Sequence, residues 1–198
     1  MEQPIALREW AVAVKALEAG KQIMVLRKGG IAEETREFRL ESPSFFLFPS
    51  YEHQREQLVK PGADPSVAET IAAFNASPDT ITISSYADVV ADIEVTDSET
   101  LQKLEPYHLW TEQYAEERLK WKKTKPLHVL LLRVYLLDRP VALPNGDQYG
   151  GCKSWLRLAS EVSRADARPV LGDEAFQEQL QAVKHALDRR GAGAGQPH

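Results

Sequence analysis

The most apolar stretch of the 198-residue chain is residues 127–137, LHVLLLRVYLL. A membrane-spanning helix needs roughly 20 apolar residues, so this run is too short to cross a bilayer. Valine, tyrosine and an interior Arg133, followed closely by Pro140, favour a strand at the centre of a sheet. Apolar periodicity alone does not distinguish such a strand from a buried helix segment. The run therefore predicts a soluble domain built on a central strand.

The rest of the chain predicts a mixture of helices and strands. Residues 80–95, TITISSYADVVADIEV, alternate and are rich in β-branched side chains, which predicts one or two further strands. Shorter strands are predicted at 22–27, 38–40, 45–48 and 154–158. Helices are predicted over 5–19, 51–59, 65–76, 99–104, 110–119 and 173–190. We predict an α+β fold, with one domain over residues 1–190 and a disordered tail at 191–198.

The net charge of -5 conceals a strong asymmetry along the chain. Residues 1–60 carry nine basic and nine acidic side chains, and residues 61–117 carry one basic and twelve acidic, net -11. Residues 118–157 carry nine basic and two acidic, net +7, and residues 158–198 have a net charge of -1. Salt screens electrostatic interactions beyond a Debye length of about 8–10 Å. The basic block can therefore attract phosphate although the protein as a whole is acidic. The alternative is a solvated face that pairs with the acidic block.

Residue types exclude several kinds of site. Cys152 is the one cysteine, so neither an internal disulfide nor a thiolate zinc site is expected. The five histidines are isolated, without metal-ligand spacing, and we predict no metal and no cofactor. The opening MEQPIALREW lacks a basic segment followed by an apolar one, so no secretory signal is predicted and a cytoplasmic protein is expected.

Several segments resemble known families. Residues 14–27, VKALEAGKQIMVLR, resemble the helix, glycine and Arg-ending strand that open ASCH domains of the PUA-like superfamily. Gly20 and Arg27 match that pattern, whereas Gln22 stands where the family has lysine and Lys21 precedes it. Residues 92–104 and 127–140 are similar to later elements of the same domains. Over its whole length the chain resembles an uncharacterised bacterial family known as a domain of unknown function, through EWAVAVKAL, LRKGG and YGGCKSW.

The ASCH resemblance implies a small PUA/ASCH-like β-barrel with flanking helices, extended here by a C-terminal amphipathic helix. It also implies a cleft beside the first helix-to-strand turn. PUA-like domains mostly bind RNA or modified nucleotides, and some ASCH members resemble hydrolases that act on RNA or modified nucleosides. Fold alone does not decide between these functions.

Two segments next to predicted strand ends are candidates for ligand binding. Arg27 and Lys28 precede Gly29-Gly30, and such a turn lets cations and backbone N–H groups meet an anion. The alternative is an ordinary hairpin turn with surface cations. Tyr51, His53 and Gln54 follow the apolar strand FLFP. Tyr51 could stack on a base, His53 could act as acid or base near neutral pH, and Gln54 could bond a base edge.

Two further candidate segments lie in the basic half of the chain. Residues 110–125 interleave tryptophan and tyrosine with cations, the combination found in single-stranded nucleic-acid sites. Lys122 and Lys123 are its main candidates for phosphate contact. In YGGCKSW, Lys153 and Trp155 are expected to line the same cleft as Arg27 and Lys28. Cys152 is a weak candidate nucleophile, because a lone cysteine is more often a small buried apolar residue.

Three functions remain open on the sequence. The first is an RNA- or nucleotide-binding module whose cations neutralise phosphate. The second is a hydrolase in which His53 or a glutamate is the general base and Lys21 or Lys28 stabilises developing negative charge. The third is a protein-interaction factor that uses the acidic block as its partner surface.

Overall fold

The structure is a computed structural model that describes residues 2–28, 38–121 and 123–189. Three predictions lie outside these residues: the Gly29-Gly30 turn, the contribution of Lys122 and the tail 191–198. The strands are β1 (Ile5–Trp10), β2 (Met24–Arg27), β3 (Ser44–Ser50), β4 (Thr80–Val95), β5 (Leu127–Pro144), β6 (Trp155–Arg157) and β7 (Arg168–Pro169). The helices are α1 (Ala11–Glu18), α2 (Val67–Asn75), α3 (Ser98–Lys103), α4 (Glu112–Lys120) and α5 (Asp173–Asp188). This content confirms the α+β prediction.

One mixed sheet organises the domain and curls into a half-barrel. Its strand order is β2-β5-β4-β3-β1-β6, with β7 paired to β5. Strands β1 and β3 run parallel, and the other pairs are antiparallel. The apolar run at 127–137 lies within β5, between β2 and β4, as a central strand should. Residues 80–95 form the single strand β4.

The sheet is buried on both faces near its centre. In β3, Phe45 and Leu47 belong to the larger hydrophobic core, and Phe46 and Phe48 belong to the smaller one. Successive side chains of a strand point to opposite faces, so the continuous apolar run FFLF supplies both cores. The predicted strand at 45–48 is confirmed for the same reason.

The prediction of one helix over 5–19 is wrong in its first half. Residues 5–10 form β1, which lies between β3 and β6, and its Ala6 and Leu7 are fully buried. Hydrogen bonding to a neighbouring strand on each side outweighs the helix preference of these residues, which is only a weak determinant of structure. The helix begins only at Ala11, and Gly20, with φ of 71°, lies just beyond its C-terminal end.

Two other local predictions differ from the structure. Residues 38–40 are not a strand, and the predicted helix at 51–59 is reduced to a single 3₁₀ turn, Glu56–Leu58. Before it comes a turn in which His53 has φ of 65°, a left-handed conformation that cannot continue a helix. This turn carries one wall of the candidate site.

Candidate functional site

A cleft of about 480 Å³ opens where the ends of β1 and β2, the turn after β3 and helix α4 meet. Part of the loop before β6 forms its remaining edge. Cations, carboxylates and aromatic rings line it together: Arg8, Glu9, Trp10, Arg27, Ser50, Glu52, His53, Arg55, Leu58, Tyr114, Glu117, Arg118, Trp121, Gly151, Cys152, Lys153 and Ser154. We call it the charged cleft.

The floor of the charged cleft is a buried ion pair. The Arg27 Nη1 atom lies 3.3 Å from the Glu9 Oε2 atom and also donates to the Arg8 carbonyl oxygen at 3.0 Å. Its Nη2 atom donates to Ser154 Oγ at 2.7 Å. Glu9 is 3% exposed, and its Oε1 atom accepts from the Trp10 backbone N–H at 2.8 Å. Arg27 therefore connects β2 to β1 and to the loop before β6, and Glu9 compensates much of its charge.

A second arginine holds the loop at the mouth of the cleft. The Arg8 guanidinium donates to the backbone carbonyl oxygens of Tyr149 and Gly151. Burial lowers the pKa of Arg8 below its usual value, while the nearby Glu52 carboxylate opposes that shift. These contacts leave Cys152 and Lys153 exposed at the rim. Arg8 is thus a structural clamp on the segment YGGCKSW.

Helix α4 supplies the aromatic wall. Tyr114, Glu117, Arg118 and Trp121 line the cleft at the i, i+3, i+4, i+7 spacing of one helical face. The Tyr114 ring stacks on Trp110, with centroids 5.1 Å apart, and the Arg118 guanidinium lies 5.1 Å from the Tyr114 ring centroid. Burial raises the pKa of Tyr114 to about 12, so its hydroxyl stays protonated at neutral pH. Tyr114 is 3% exposed, and Trp121 is the partly exposed aromatic side chain of this wall.

The turn after β3 forms the opposite wall. Glu52, His53 and Arg55 are exposed there, and all three line the cleft. Histidine adopts a positive φ more often than most residues other than glycine. His53 has this conformation in the turn. The side chains of Arg55 and Lys153 form no ion pair or hydrogen bond within the described part of the chain. Both cations therefore remain available to a ligand.

Four candidates from the sequence meet in the charged cleft: Arg27, His53, Cys152 and Lys153. Lys28 and Trp155 do not line it, which corrects the expectation that they would. Lys28 is 1% exposed, and its Nζ atom donates to the Leu119 carbonyl oxygen at the end of α4, at 2.8 Å. Trp155 packs against Phe38 and Phe45 and donates from Nε1 to the Arg39 carbonyl oxygen at 2.8 Å. Both residues are components of the core.

Three other candidates also lie outside the charged cleft. The Tyr51 ring stacks on Phe74, with centroids 4.4 Å apart. Lys21 lines a separate, smaller pocket, where its Nζ atom donates to the Asp64 carbonyl oxygen at 3.1 Å. Lys123 is exposed but does not line the cleft. The basic segment therefore contributes to the cleft through Arg118 and Trp121.

Gln54 joins the turn to two helices. Its Oε1 atom accepts from the Val12 N–H in the first turn of α1, at 2.9 Å, and its Nε2 atom donates to Thr70 Oγ1 in α2, at 3.2 Å. Trp10 makes no side-chain cap of α1, so Gln54 supplies the acceptor that a local cap would otherwise provide. The Gln54 amide is committed to structure rather than presented to a ligand.

Replacing Gln54 with leucine is expected to lower the free energy of unfolding by about 1–3 kcal/mol, because a backbone N–H loses its acceptor. Urea denaturation measures the loss. Gln57, an exposed neighbour in the 3₁₀ turn, gives the matched control Gln57→Leu, for which a change within about 0.5 kcal/mol is expected. Equal stability of Gln54→Leu and the wild type would contradict the capping role.

The sequence did not indicate the importance of Arg8, Glu52 or Arg55. Arg8 and Glu9 fall inside what reads as a helix, and only their place at the end of a strand brings them to the cleft. Among the described residues, no cluster of three histidine, cysteine or acidic side chains could hold a metal ion. No helix in that part of the chain is long and apolar enough to cross a membrane.

The fold is an α+β domain built on one mixed sheet, and the charged cleft lies at the ends of its strands. Residues 6–182 match the family described as a domain of unknown function, DUF1802. The chain belongs to that family. No match was found among curated proteins.

Solved structures of an ASCH protein from Zymomonas mobilis are similar to this chain. The crystal structure of that protein is 15% identical, covers 89% of this chain and 93% of its own, and has a TM-score of 0.44. A crystal structure of one mutant is 16% identical, with coverage of 89% and 96% and a TM-score of 0.44. A second mutant is 13% identical, with coverage of 91% and 98% and a TM-score of 0.46.

Proposed function

We propose that the charged cleft binds single-stranded RNA or a nucleotide, and that residues 1–190 act as one cytoplasmic domain for this purpose. The observation that carries the proposal is the meeting of cations from separate elements around an aromatic wall. Arg55 comes from the turn after β3, Arg118 from α4 and Lys153 from the loop before β6. Phosphate contacts from cations and stacking on aromatic rings are the two components of single-strand recognition.

The charge distribution supports this reading. Arg118 and Lys153 belong to the +7 block at 118–157, so the block reaches the cleft although the whole chain is acidic. Arg8 and Arg27 add positive field from beneath, but their terminal Nη atoms already donate to carbonyl, hydroxyl and carboxylate oxygens. We therefore assign direct phosphate contact to the exposed side chains of Arg55 and Lys153, the cations at the rim of the cleft.

The hydrolase alternative has less support from the geometry. Its two proposed lysines are outside the cleft: Lys28 is buried and bonded to a carbonyl oxygen, and Lys21 lines another pocket. His53 and Cys152 do line the charged cleft, so an acid or base and a thiol are present there. Incubation with labelled RNA and a panel of nucleosides tests for turnover, and a loss of turnover in His53→Ala would favour an enzyme.

Charge reversal at the rim tests the binding proposal. The double variant Arg55→Glu with Lys153→Glu is expected to weaken binding of a fluorescein-labelled mixed-sequence RNA at least about tenfold at low salt. The slope of log K against log salt should also become shallower by about 1–2, because two phosphate contacts are lost. Fluorescence anisotropy over a salt series measures both quantities.

The matched control reverses two exposed cations away from the cleft. Arg139→Glu with Lys184→Glu changes the net charge by the same amount on β5 and α5. This control is expected to keep the salt slope of the wild type. Absence of RNA binding by the wild type at low salt, or equal weakening by both pairs, would contradict the proposal.

A further inference from the structure

The charged cleft contains carboxylates that phosphate binding does not explain. Glu52 lies on the turn wall and Glu117 on the α4 wall, and both side chains are exposed. Neither forms a salt bridge within the described part of the chain, although Arg8, Arg55 and Arg118 line the same cleft. A polyanion gains nothing from these groups, since like charges repel. They would suit a ligand that offers hydrogen-bond donors as well as phosphate.

The acceptor atoms of both carboxylates are largely available. The Glu117 Oε1 atom accepts from Gln113 Nε2 at 3.0 Å, and no hydrogen bond occupies its Oε2 atom within the described residues. Glu52 lies close enough to Arg8 to affect the pKa of that guanidinium, yet makes no hydrogen bond through its side chain in the same part of the chain. An ionised carboxylate only accepts hydrogen bonds. The ligand group that meets it must therefore be a hydrogen-bond donor, and the amino group of a base is one such donor.

Glu117 also lies close to an aromatic side chain that is partly exposed in the cleft. It is four residues before Trp121, which follows the last residue of α4 and lines the cleft. A base that packs against Trp121 would lie about one helical turn from this carboxylate. Cytosine and adenine present an exocyclic amino group there, and guanine presents an amino group with a ring N–H. Uracil has a carbonyl oxygen on each side of its one N–H group. These oxygens are hydrogen-bond acceptors, so a nearby carboxylate repels them.

Resting on the proposed function, we infer that Glu52 and Glu117 make the charged cleft selective for bases that carry an exocyclic amino group, and that uracil is disfavoured. Cations at the rim hold the backbone, and the two carboxylates determine which base edge is accepted. A matched donor–acceptor contact to a base edge changes affinity by roughly fivefold to a hundredfold. The preference for cytosine over uracil is expected in that range.

The experiment compares fluorescein-labelled oligomers of eight cytidines and of eight uridines by fluorescence anisotropy at one low salt concentration. These oligomers have the same charge and ring size, and differ at the base edge. The wild type is expected to bind the cytidine oligomer at least about fivefold more tightly. In Glu52→Gln with Glu117→Gln, the preference should fall to about twofold or less, because glutamine both donates and accepts.

A matched control separates base selection from net charge. Glu174→Gln with Glu178→Gln removes two exposed carboxylates from α5, and thermal unfolding verifies that each variant is folded. This control should keep the cytidine preference of the wild type. Equal affinity of the wild type for both oligomers, or a preference that survives in Glu52→Gln with Glu117→Gln, would overturn the inference and leave RNA binding intact. Failure of the wild type to bind either oligomer would refute the proposed function itself.

Discussion

Replacing Arg27 with methionine is expected to lower the free energy of unfolding by about 3–5 kcal/mol, which is the usual cost of breaking a buried ion pair. The substitution leaves the Glu9 carboxylate, 3% exposed, without its cation. It also removes the hydrogen bonds from Arg27 to the Arg8 carbonyl oxygen and to Ser154 Oγ. Methionine fills similar space, so the loss reports charge and hydrogen bonding more than packing. Urea denaturation followed by circular dichroism measures it.

A double-mutant cycle distinguishes the ion pair from general disruption. Glu9→Gln in the Arg27→Met background should recover part of the loss, because a neutral amide costs less to bury than an unpaired carboxylate. Arg139→Met, at a side chain that is 92% exposed, is the matched control and should change stability by less than about 0.5 kcal/mol. If Arg27→Met lowers the free energy of unfolding by less than about 1 kcal/mol, the ion pair between Arg27 and Glu9 does not stabilise the floor of the cleft as proposed.

Acidification from pH 6.5 to pH 5 is expected to destabilise the protein by about 2 kcal/mol through His108 alone. This residue is 5% exposed, and within the described part of the chain neither of its buried ring nitrogens has a hydrogen-bond partner. Burial, together with the nearby Lys60 ammonium, lowers the pKa of His108 from 6.5 to about 4, although the Glu105 carboxylate opposes the shift. The folded protein therefore keeps His108 neutral over a range in which the unfolded chain is protonated.

The sign follows from proton binding. Between pH 6.5 and about 4 the unfolded state binds more protons at this residue, so stability decreases as the pH falls. Above pH 6.5 both states are neutral there and the effect is absent. Below about pH 4 both states are protonated and the loss is complete. The window from 6.5 to 5 lies above the ordinary pKa of carboxylates, which limits their contribution.

His108→Gln should flatten the dependence of the unfolding free energy on pH in this window. The matched control is His185→Gln, because His185 is exposed on α5. It should keep the slope of the wild type. Urea denaturation at several pH values provides the free energies, and an unchanged slope in His108→Gln would contradict the assignment.

The long strands of this protein can be predicted from sequence because their pattern is strong and local. The apolar run in β5 and the alternation in β4 each extend over many residues, so one misleading position does not change the interpretation. Segment 5–10 could not be predicted in this way. Its residues have no distinct period, and it is a strand only because β3 and β6 pair with it.

The site was predictable only in part, for a related reason. His53 and Lys153 follow strand and glycine signals, and both line the charged cleft. Lys28 has the same sequence appearance as Arg27, yet its amine is buried against the Leu119 carbonyl oxygen from a distant helix. A charged residue next to a glycine pair usually indicates a surface, and no local pattern reveals such a long-range acceptor.

The sequence by itself determined the α+β class, the apolar strands and the uneven charge, because each depends on composition or on residues close in the chain. Tertiary structure alone decided which cations face the cleft. Arg8 holds the loop and Arg27 forms the floor because each donates to carbonyl or carboxylate oxygens from other segments of the chain. Arg55 and Lys153 remained available because no such acceptor reaches them in the described part of the chain. Most buried polar groups have hydrogen-bond partners, and those of Arg8 and Arg27 lie far away in sequence.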